Sequence, residues 1–396
     1  MRFFHVASDD EIKKGKTTDV YFERTYKILK AKNMDKVRVT AEVTAGNLPN
    51  GWVWGVLCGI EEVAKLFEGY PVNVYSFPEG SLFFASNHLG IREPVLVVEG
   101  AYADFCMLET PLLGFICQAS GIATKAARIR KIVWDKLLLS FGTRRMHPTI
   151  SPMIDRAAYI GGFDAVSSLC GAKILGKEPV GTMPHALIII FENQVEAWKA
   201  FDEVVEPKIP RIILIDTFYD EKTEALMAVE TLGKKLYGVR LDTPTSRRGN
   251  FPEIIREVRW ELSLRGFKNV KIIVSGGIDE EKIKQLADAG ADGFGVGTSL
   301  SAAPVIDFAL DIVEKEGKPI AKRGKLAGKK QVWRCTQCMF DLVQPFKENQ
   351  PKCSKCGKPM KPMLNPLIVE GKIVGKLPSP DEIRKYVLNQ LEKINL

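Results

Sequence analysis

The chain has no apolar run near the ~20 residues that a membrane-crossing helix needs. Its most uniform apolar stretch, Ala186 to Phe191, reads as a core segment. The opening MRFFHVASDDEIKKGKTTD carries no sustained apolar h-region, so no secretory leader is expected. A dinucleotide fingerprint is also missing, which argues against an open Rossmann sheet. Four of the eight cysteines (Cys58, Cys106, Cys117 and Cys170) are scattered in apolar surroundings, as buried free thiols of a cytoplasmic protein would be.

What remains is an ordinary globular composition of 396 residues, 45% apolar and 26% charged, long enough for two or three domains. The net charge of +8 suits anionic small ligands, nucleic acid or a merely solvated surface, and does not choose among them.

The stretch IIVSGGIDEEKIKQLADAGADGFGVGTSL, from Ile272 to Leu300, is the most informative. Ile272, Ile273 and Val274 suit a strand buried on both faces. Ile283, Leu286, Ala287 and Gly290 share one face of a helix, with Asp279, Glu280 and Glu281 in its first turn. A second short strand then ends in GVGTS. Two glycine-rich turns therefore lie at the carboxyl ends of neighbouring parallel strands, where backbone N–H groups can approach an anion without a Cβ in the way. The last two strands of a (β/α) barrel commonly hold phosphate in this way.

From Lys136 to Leu300, short β-like runs alternate with helical ones: KLLLSFGTRR, FDAVSS, EPVGTM, RIILIDTF, YGVRLDT, VKIIVSGG and DGFGVGTS. The alternation predicts a parallel sheet, and seven units favour an irregular or incompletely closed barrel. Upstream, KVRVTAEVTA, PVNVYSFPEGSLFFAS (as two paired strands) and EPVLVVEG predict an α+β domain that leads into the barrel through a helix from Ala101 to Gln118. The expected division is residues 1–118, 119–303 and 304–396. A final helix is opened by Ser379, with Pro380 in its first turn and Glu382 completing a capping box.

Within the last region, Cys335, Cys338, Cys353 and Cys356 form two C-x-x-C pairs with fourteen residues between them. Four thiolates at this spacing fill a tetrahedral shell around one structural Zn²⁺, giving a ribbon over 335–356. Disulfide pairing is the less favoured alternative.

Polar residues follow most of the barrel runs: Arg144 and Arg145, Ser167 and Ser168, Thr182 and His185, Asp216 and Thr217, then Arg240 and Asp242. At a barrel's carboxyl rim such residues face one mouth. Each taken singly is as readily a rim salt bridge, and His185 a packed core histidine. Together they describe a site for a polyanionic sugar phosphate.

FGTRRMHP, GTMPH, IDTFYDEKTEAL, VRLDTPTSRRGN and the two glycine-rich turns, with TTDVYFERT near the start, resemble nicotinate phosphoribosyltransferase of the archaeal type with a C-terminal zinc knuckle. The resemblance implies an α/β protein with an irregular barrel of the type II phosphoribosyltransferase kind, an α+β amino-terminal domain and a small zinc-ribbon domain. It implies transfer of a 5-phosphoribosyl group from phosphoribosyl pyrophosphate to nicotinate, with Mg²⁺ and structural Zn²⁺ as cofactors. Gly276, Gly277, Gly297 and Thr298 would hold the 5′-phosphate, with Ser167, Thr182 and Thr217 nearby. Asp216 and Asp242 would serve ribose hydroxyls or Mg²⁺. Arg144, Arg145, Arg240 and Lys125 would neutralise carboxylate and pyrophosphate. His185 matches the histidine that ATP can phosphorylate in the family, and Tyr21 would stack on the pyridine ring in a neighbouring subunit of a homodimer or larger homo-oligomer.

Two other readings are carried forward. Quinolinate phosphoribosyltransferase shares the barrel logic. A nucleic-acid-binding zinc ribbon would use Lys318, Lys322, Arg323, Lys325, Lys329 and Lys330 with Trp333 for stacking. Arg247 and Arg248 are left between phosphate contacts and loop decoration.

Overall fold

The structure is a computed structural model that describes residues 3–396. The chain forms two units, Met1–Ala127 with Pro304–Leu396, and Arg128–Ala303. This differs from three consecutive segments, for a physical reason. Strand Arg38–Ala45 is paired along one edge with Pro94–Ala101 and along the other with Phe308–Lys315, both antiparallel. A strand from beyond the parallel sheet thus completes the amino-terminal one, a long-range pairing that no local pattern announces.

The first unit is built on a seven-stranded antiparallel sheet. Val43, Leu96, Val98, Phe67 and Ile116 are among the fully buried residues of its core. The two strands within PVNVYSFPEGSLFFAS do not pair with each other, contrary to expectation. Asn73–Ser76 joins the large sheet, whereas Leu82–Phe83 pairs with Gly55–Val56. The helix expected over 101–118 begins at Tyr102 and, after a 3₁₀ turn, runs through Glu109–Ile132. By length and composition alone this 31-residue stretch could cross a membrane, which corrects the estimate from apolar runs; 56% of its apolar window is buried inside the protein.

The basic stretch is spent internally. Lys322 and Lys325 pair with Asp311 at 2.5 and 2.7 Å, Lys329 with Glu99 at 2.9 Å, and Lys330 with Glu42 at 2.9 Å. Lys329 also lies between the rings of Tyr75 and Phe346. Trp333 is 9% exposed, too buried to stack on a base. The surface on which a nucleic-acid reading depended is therefore largely neutralised. The final helix, Pro380–Leu391, has the expected capping box from Ser379 and Glu382.

The second unit holds six parallel strands: β1 Leu137–Ser140, β2 Ala165–Val166, β3 Arg211–Leu214, β4 Leu236–Leu241, β5 Lys271–Ser275 and β6 Gly293–Val296. Their order is β2-β1-β6-β5-β4-β3, so the curled sheet stays open between β2 and β3. EPVGTM, expected as a strand there, forms none. Pro179 and Pro184 lack ladder donors, and its link to β2 is a single bond from Val180 N to Val166 O at 2.9 Å. Ala186 to Phe191 is also not core: it belongs to helix His185–Phe191, in which Ile188 is buried while Ile190 is 78% exposed. Cys170 is exposed rather than buried.

Candidate active site

Because the strands are parallel, all six strand ends and the turns after them point to one side, and a cavity of about 600 Å³ opens there. Its lining includes Arg144, Arg145, Ser167, Thr182, His185, Arg240, Asp242, Gly276, Gly277, Gly297 and Thr298. Eleven of the sequence-derived site residues thus share one mouth. Gly276 and Gly277 have φ of +78° and +63°, consecutive left-handed conformations that no residue with a Cβ adopts cheaply. Gly297 precedes the short helix Thr298–Ser301.

Asp216 and Thr217 are not in the lining but hold residues that are. Asp216 Oδ2 accepts from Asp242 N at 2.6 Å and from Thr243 Oγ1 at 3.0 Å. Its Oδ1 is buried and unpartnered, 3.8 Å from His185 Nε2. Thr217 Oγ1 lies 3.0 Å from His185 Nδ1. The imidazole is thus held at Nδ1, while Nε2 faces two carboxylates, with Asp242 Oδ2 4.0 Å away. Burial pushes the Asp216 carboxyl above its usual range, while the Asp242 N–H and the His185 ring pull the other way.

Arg240, 9% exposed, donates to Ser275 Oγ at 3.1 Å and to Met183 O at 2.8 Å, and stands 3.4 Å from Asp242. Its Nε has no partner. Burial lowers its pKa, and Asp242 and Asp216 raise it. Arg144 and Arg145 are exposed on a 3₁₀ turn after β1. The mouth therefore combines exposed cations at its rim, a buried cation and Asp242 deeper in, with Asp216 behind it, and N–H-rich turns. That arrangement can bind a ligand with several anionic groups and hydroxyls.

Tyr21 and Lys125 belong to the other unit. Tyr21 is 57% exposed on helix Val20–Ala31, with its hydroxyl 3.5 Å from Asp19 Oδ2.

Several shaping residues escaped the sequence reading. Phe141 is the aromatic residue in the lining, and Gly295 makes room for its ring. Asp155, fully buried, accepts from Ser140 Oγ at 2.8 Å and from Ser168 Oγ, anchoring the turn after β2. Glu224, also fully buried, accepts the N–H groups of Thr217, Phe218 and Tyr219 and shapes the turn after β3. A carboxylate sitting one or two turns into a neighbouring helix gives no local signal of this work.

In the first unit, the sulfurs of Cys335, Cys338, Cys353 and Cys356 all lie within 4.8 Å of one another. Zn–S bonds of about 2.3 Å in a tetrahedron require S···S edges of about 3.8 Å. Cys335 and Cys356 have their sulfurs 3.5 Å apart and no disulfide joins them. The cluster can hold a metal such as zinc. Trp333 and Met360, both buried, pack around it.

An open parallel sheet with glycine turns at its carboxyl rim, in a chain that also carries an antiparallel α+β unit, is the architecture of the type II phosphoribosyltransferase class. Residues 19–120 match the family described as quinolinate phosphoribosyl transferase, N-terminal domain, and 122–311 its C-terminal domain. The crystal structure of nicotinate-nucleotide pyrophosphorylase from Pyrococcus furiosus is 58% identical, covers 100% of both chains and superposes with a TM-score of 0.96. Human nicotinic acid phosphoribosyltransferase, at 20% identity, covers 96% of this chain and 94% of its own with a TM-score of 0.74, a likeness of fold. Nicotinate phosphoribosyltransferase pncB1 of Mycobacterium tuberculosis is 28% identical over 77% of this chain and 74% of its own length. The chain belongs to the quinolinate phosphoribosyl transferase family, in which the curated relatives it matches are named nicotinate phosphoribosyltransferases.

Proposed function

We infer that the chain is a nicotinate phosphoribosyltransferase, joining nicotinate to the ribosyl group of phosphoribosyl pyrophosphate to give nicotinate mononucleotide and pyrophosphate, a salvage step towards NAD. The observation that carries this reading is the convergence of both glycine-rich turns, three arginines and Asp242 on one cavity. The base nitrogen is already a nucleophile, so no side chain need become one. The C1–O bond to pyrophosphate breaks, the C1–N bond forms, and no proton changes hands.

In this reading the N–H groups of Gly276, Gly277, Gly297 and Thr298 hold the 5′-phosphate, aided by the Ser167 and Thr182 side chains. Arg240 and Asp242, fixed by burial and mutual contact, face the ribose and the charge that develops as pyrophosphate departs. Arg144 and Arg145 neutralise the nicotinate carboxylate and the pyrophosphate. Phe141 offers its ring to the flat base, and Tyr21 does so from a second copy of the chain, in a homodimer or larger assembly. The unpartnered Asp216 Oδ1 beside Asp242 fits Mg²⁺, which when bound stabilises the charge on the leaving pyrophosphate. The imidazole of His185, held by Thr217 and next to Asp216, is the group that ATP would phosphorylate. Zn²⁺ in the cysteine cluster is structural, since four sulfurs leave no open position. Unbridged cysteines support a cytoplasmic setting.

The family description keeps quinolinate as the second reading. Pyrophosphate release in the presence of phosphoribosyl pyrophosphate, Mg²⁺ and nicotinate tests the first. Asp242→Asn is expected to lose most of the turnover at an unchanged melting temperature; full activity in that variant would remove the cavity from the chemistry.

A further inference from the structure

We propose that Arg248 is a positioning residue that sets the phosphate-binding turn after β5, acting from behind the turn and not as a phosphate ligand. The proposal rests on the transferase reading. Its neighbour Arg247 is exposed, yet Arg248 is only 8% exposed. Its guanidinium donates from Nε and Nη2 to Thr243 O at 2.9 and 2.6 Å, and from Nη2 to Ser275 O at 3.2 Å and Gly276 O at 2.7 Å. Its Cζ stands 4.3 Å from the ring centre of Phe251, which closes off another side.

Peptide geometry turns these bonds into an orientation. The carbonyl of Ser275 shares a rigid plane with the N–H of Gly276, and the carbonyl of Gly276 with the N–H of Gly277. In a trans peptide the two groups point in opposite directions. Holding both carbonyls from one side therefore sends both N–H groups to the other. Gly276 and Gly277 both line the cavity. Two successive left-handed glycines are the least self-ordering pair a turn can contain, so an external brace is what gives the turn one shape.

The same guanidinium ties the turn to the loop after β4. Thr243 supplies the carbonyl, and its hydroxyl reaches Asp216 Oδ2 at 3.0 Å and Glu221 Oε1 at 2.5 Å. The brace thus links the strand ends β3, β4 and β5 in one network. A lysine in its place would keep the charge but could not span both loops with a planar fork.

The test uses the full chain, wild type and as Arg248→Gln and Arg248→Lys. Binding of ribose 5-phosphate, a probe with the phosphate but no pyrophosphate, is measured by calorimetry, and KM is measured separately for phosphoribosyl pyrophosphate and nicotinate. In Arg248→Gln the Kd for ribose 5-phosphate and the KM for phosphoribosyl pyrophosphate are expected to rise about tenfold or more. The KM for nicotinate stays within about twofold, and Arg248→Lys recovers part of the loss. Folded variants that bind ribose 5-phosphate as the wild type does would overturn the proposal. Failure of the wild type to bind it would overturn the phosphate site itself. Normal wild-type binding, weakened in Arg248→Gln but without turnover of any base, would support the brace and overturn the transferase reading.

Discussion

Gly295 gives the sharpest perturbation of the base-binding side of the cavity. It lies within β6, where a Cβ would fall 2.5 Å from Phe141 Cε2 and 3.1 Å from Ser275 Cβ. Carbon contacts settle at about 3.5–4.0 Å, so in Gly295→Ala the ring must retreat by about 1 Å. Its open side is the cavity it lines. Overpacking of this kind costs about 1–3 kcal/mol of stability. Stacking of a base on an aromatic ring contributes about 1–3 kcal/mol, so losing the platform should raise the KM for nicotinate about 5- to 150-fold. The KM for phosphoribosyl pyrophosphate should move by no more than about threefold, because the phosphate is assigned to the backbone of Gly276, Gly277, Gly297 and Thr298 and not to the ring. Phe141→Leu removes the platform without overpacking, and should reproduce the KM change with a smaller fall in melting temperature. Steady-state kinetics on both substrates and a thermal melt would check both variants. An unchanged KM for nicotinate in folded Phe141→Leu would refute the assignment of the ring, and equal losses for both substrates would refute the division of the cavity.

Three further outcomes are expected. Removing the metal with a strong chelator, or Cys335→Ser, should unfold the ribbon around Trp333 and Met360 and lower the melting temperature, with zinc release measured by a colorimetric dye. Burial and the nearby Asp311 push the Glu109 carboxyl up to about 7 from 4.5. The folded pKa is the higher, so this group makes the protein less stable as pH rises from about 4.5 to about 7; Glu109→Gln should be the more stable at pH 8, by about 1–2 kcal/mol given partial exposure, and indistinguishable at pH 4 in chemical denaturation. Labelled ATP should give an acid-labile phosphoryl adduct that disappears in His185→Ala, and a label that survives in that variant would assign it elsewhere.

The parallel half of the fold was legible because each buried strand is a short apolar run ending in glycine or polar residues, and the helices between them carry their own caps. Asp220 and Asp279, for example, cap the helices that follow β3 and β5. The run through Val180 misled because its apolar pattern resembles a strand, while its prolines and the open edge of the sheet deny it a partner. The rim residues could be read from strand-end position alone. Their supports could not: Asp155, Glu224 and Arg248 act across loops, and their work depends on burial, which sequence spacing does not reveal. The LDTPTSRRGN loop left its two arginines equivalent on paper, and the structure separates them by exposing one and enclosing the other. The antiparallel unit was harder still, because one of its inner strands pairs with one more than 260 residues away.

The most direct test is a one-pot competition. The protein, phosphoribosyl pyrophosphate and Mg²⁺ are mixed with equimolar nicotinate, nicotinamide and quinolinate, and the products are read by mass spectrometry. Nicotinate should be consumed first, with one pyrophosphate released for each nicotinate mononucleotide formed. Consumption of quinolinate with release of CO₂, or no mononucleotide at all, would contradict the account.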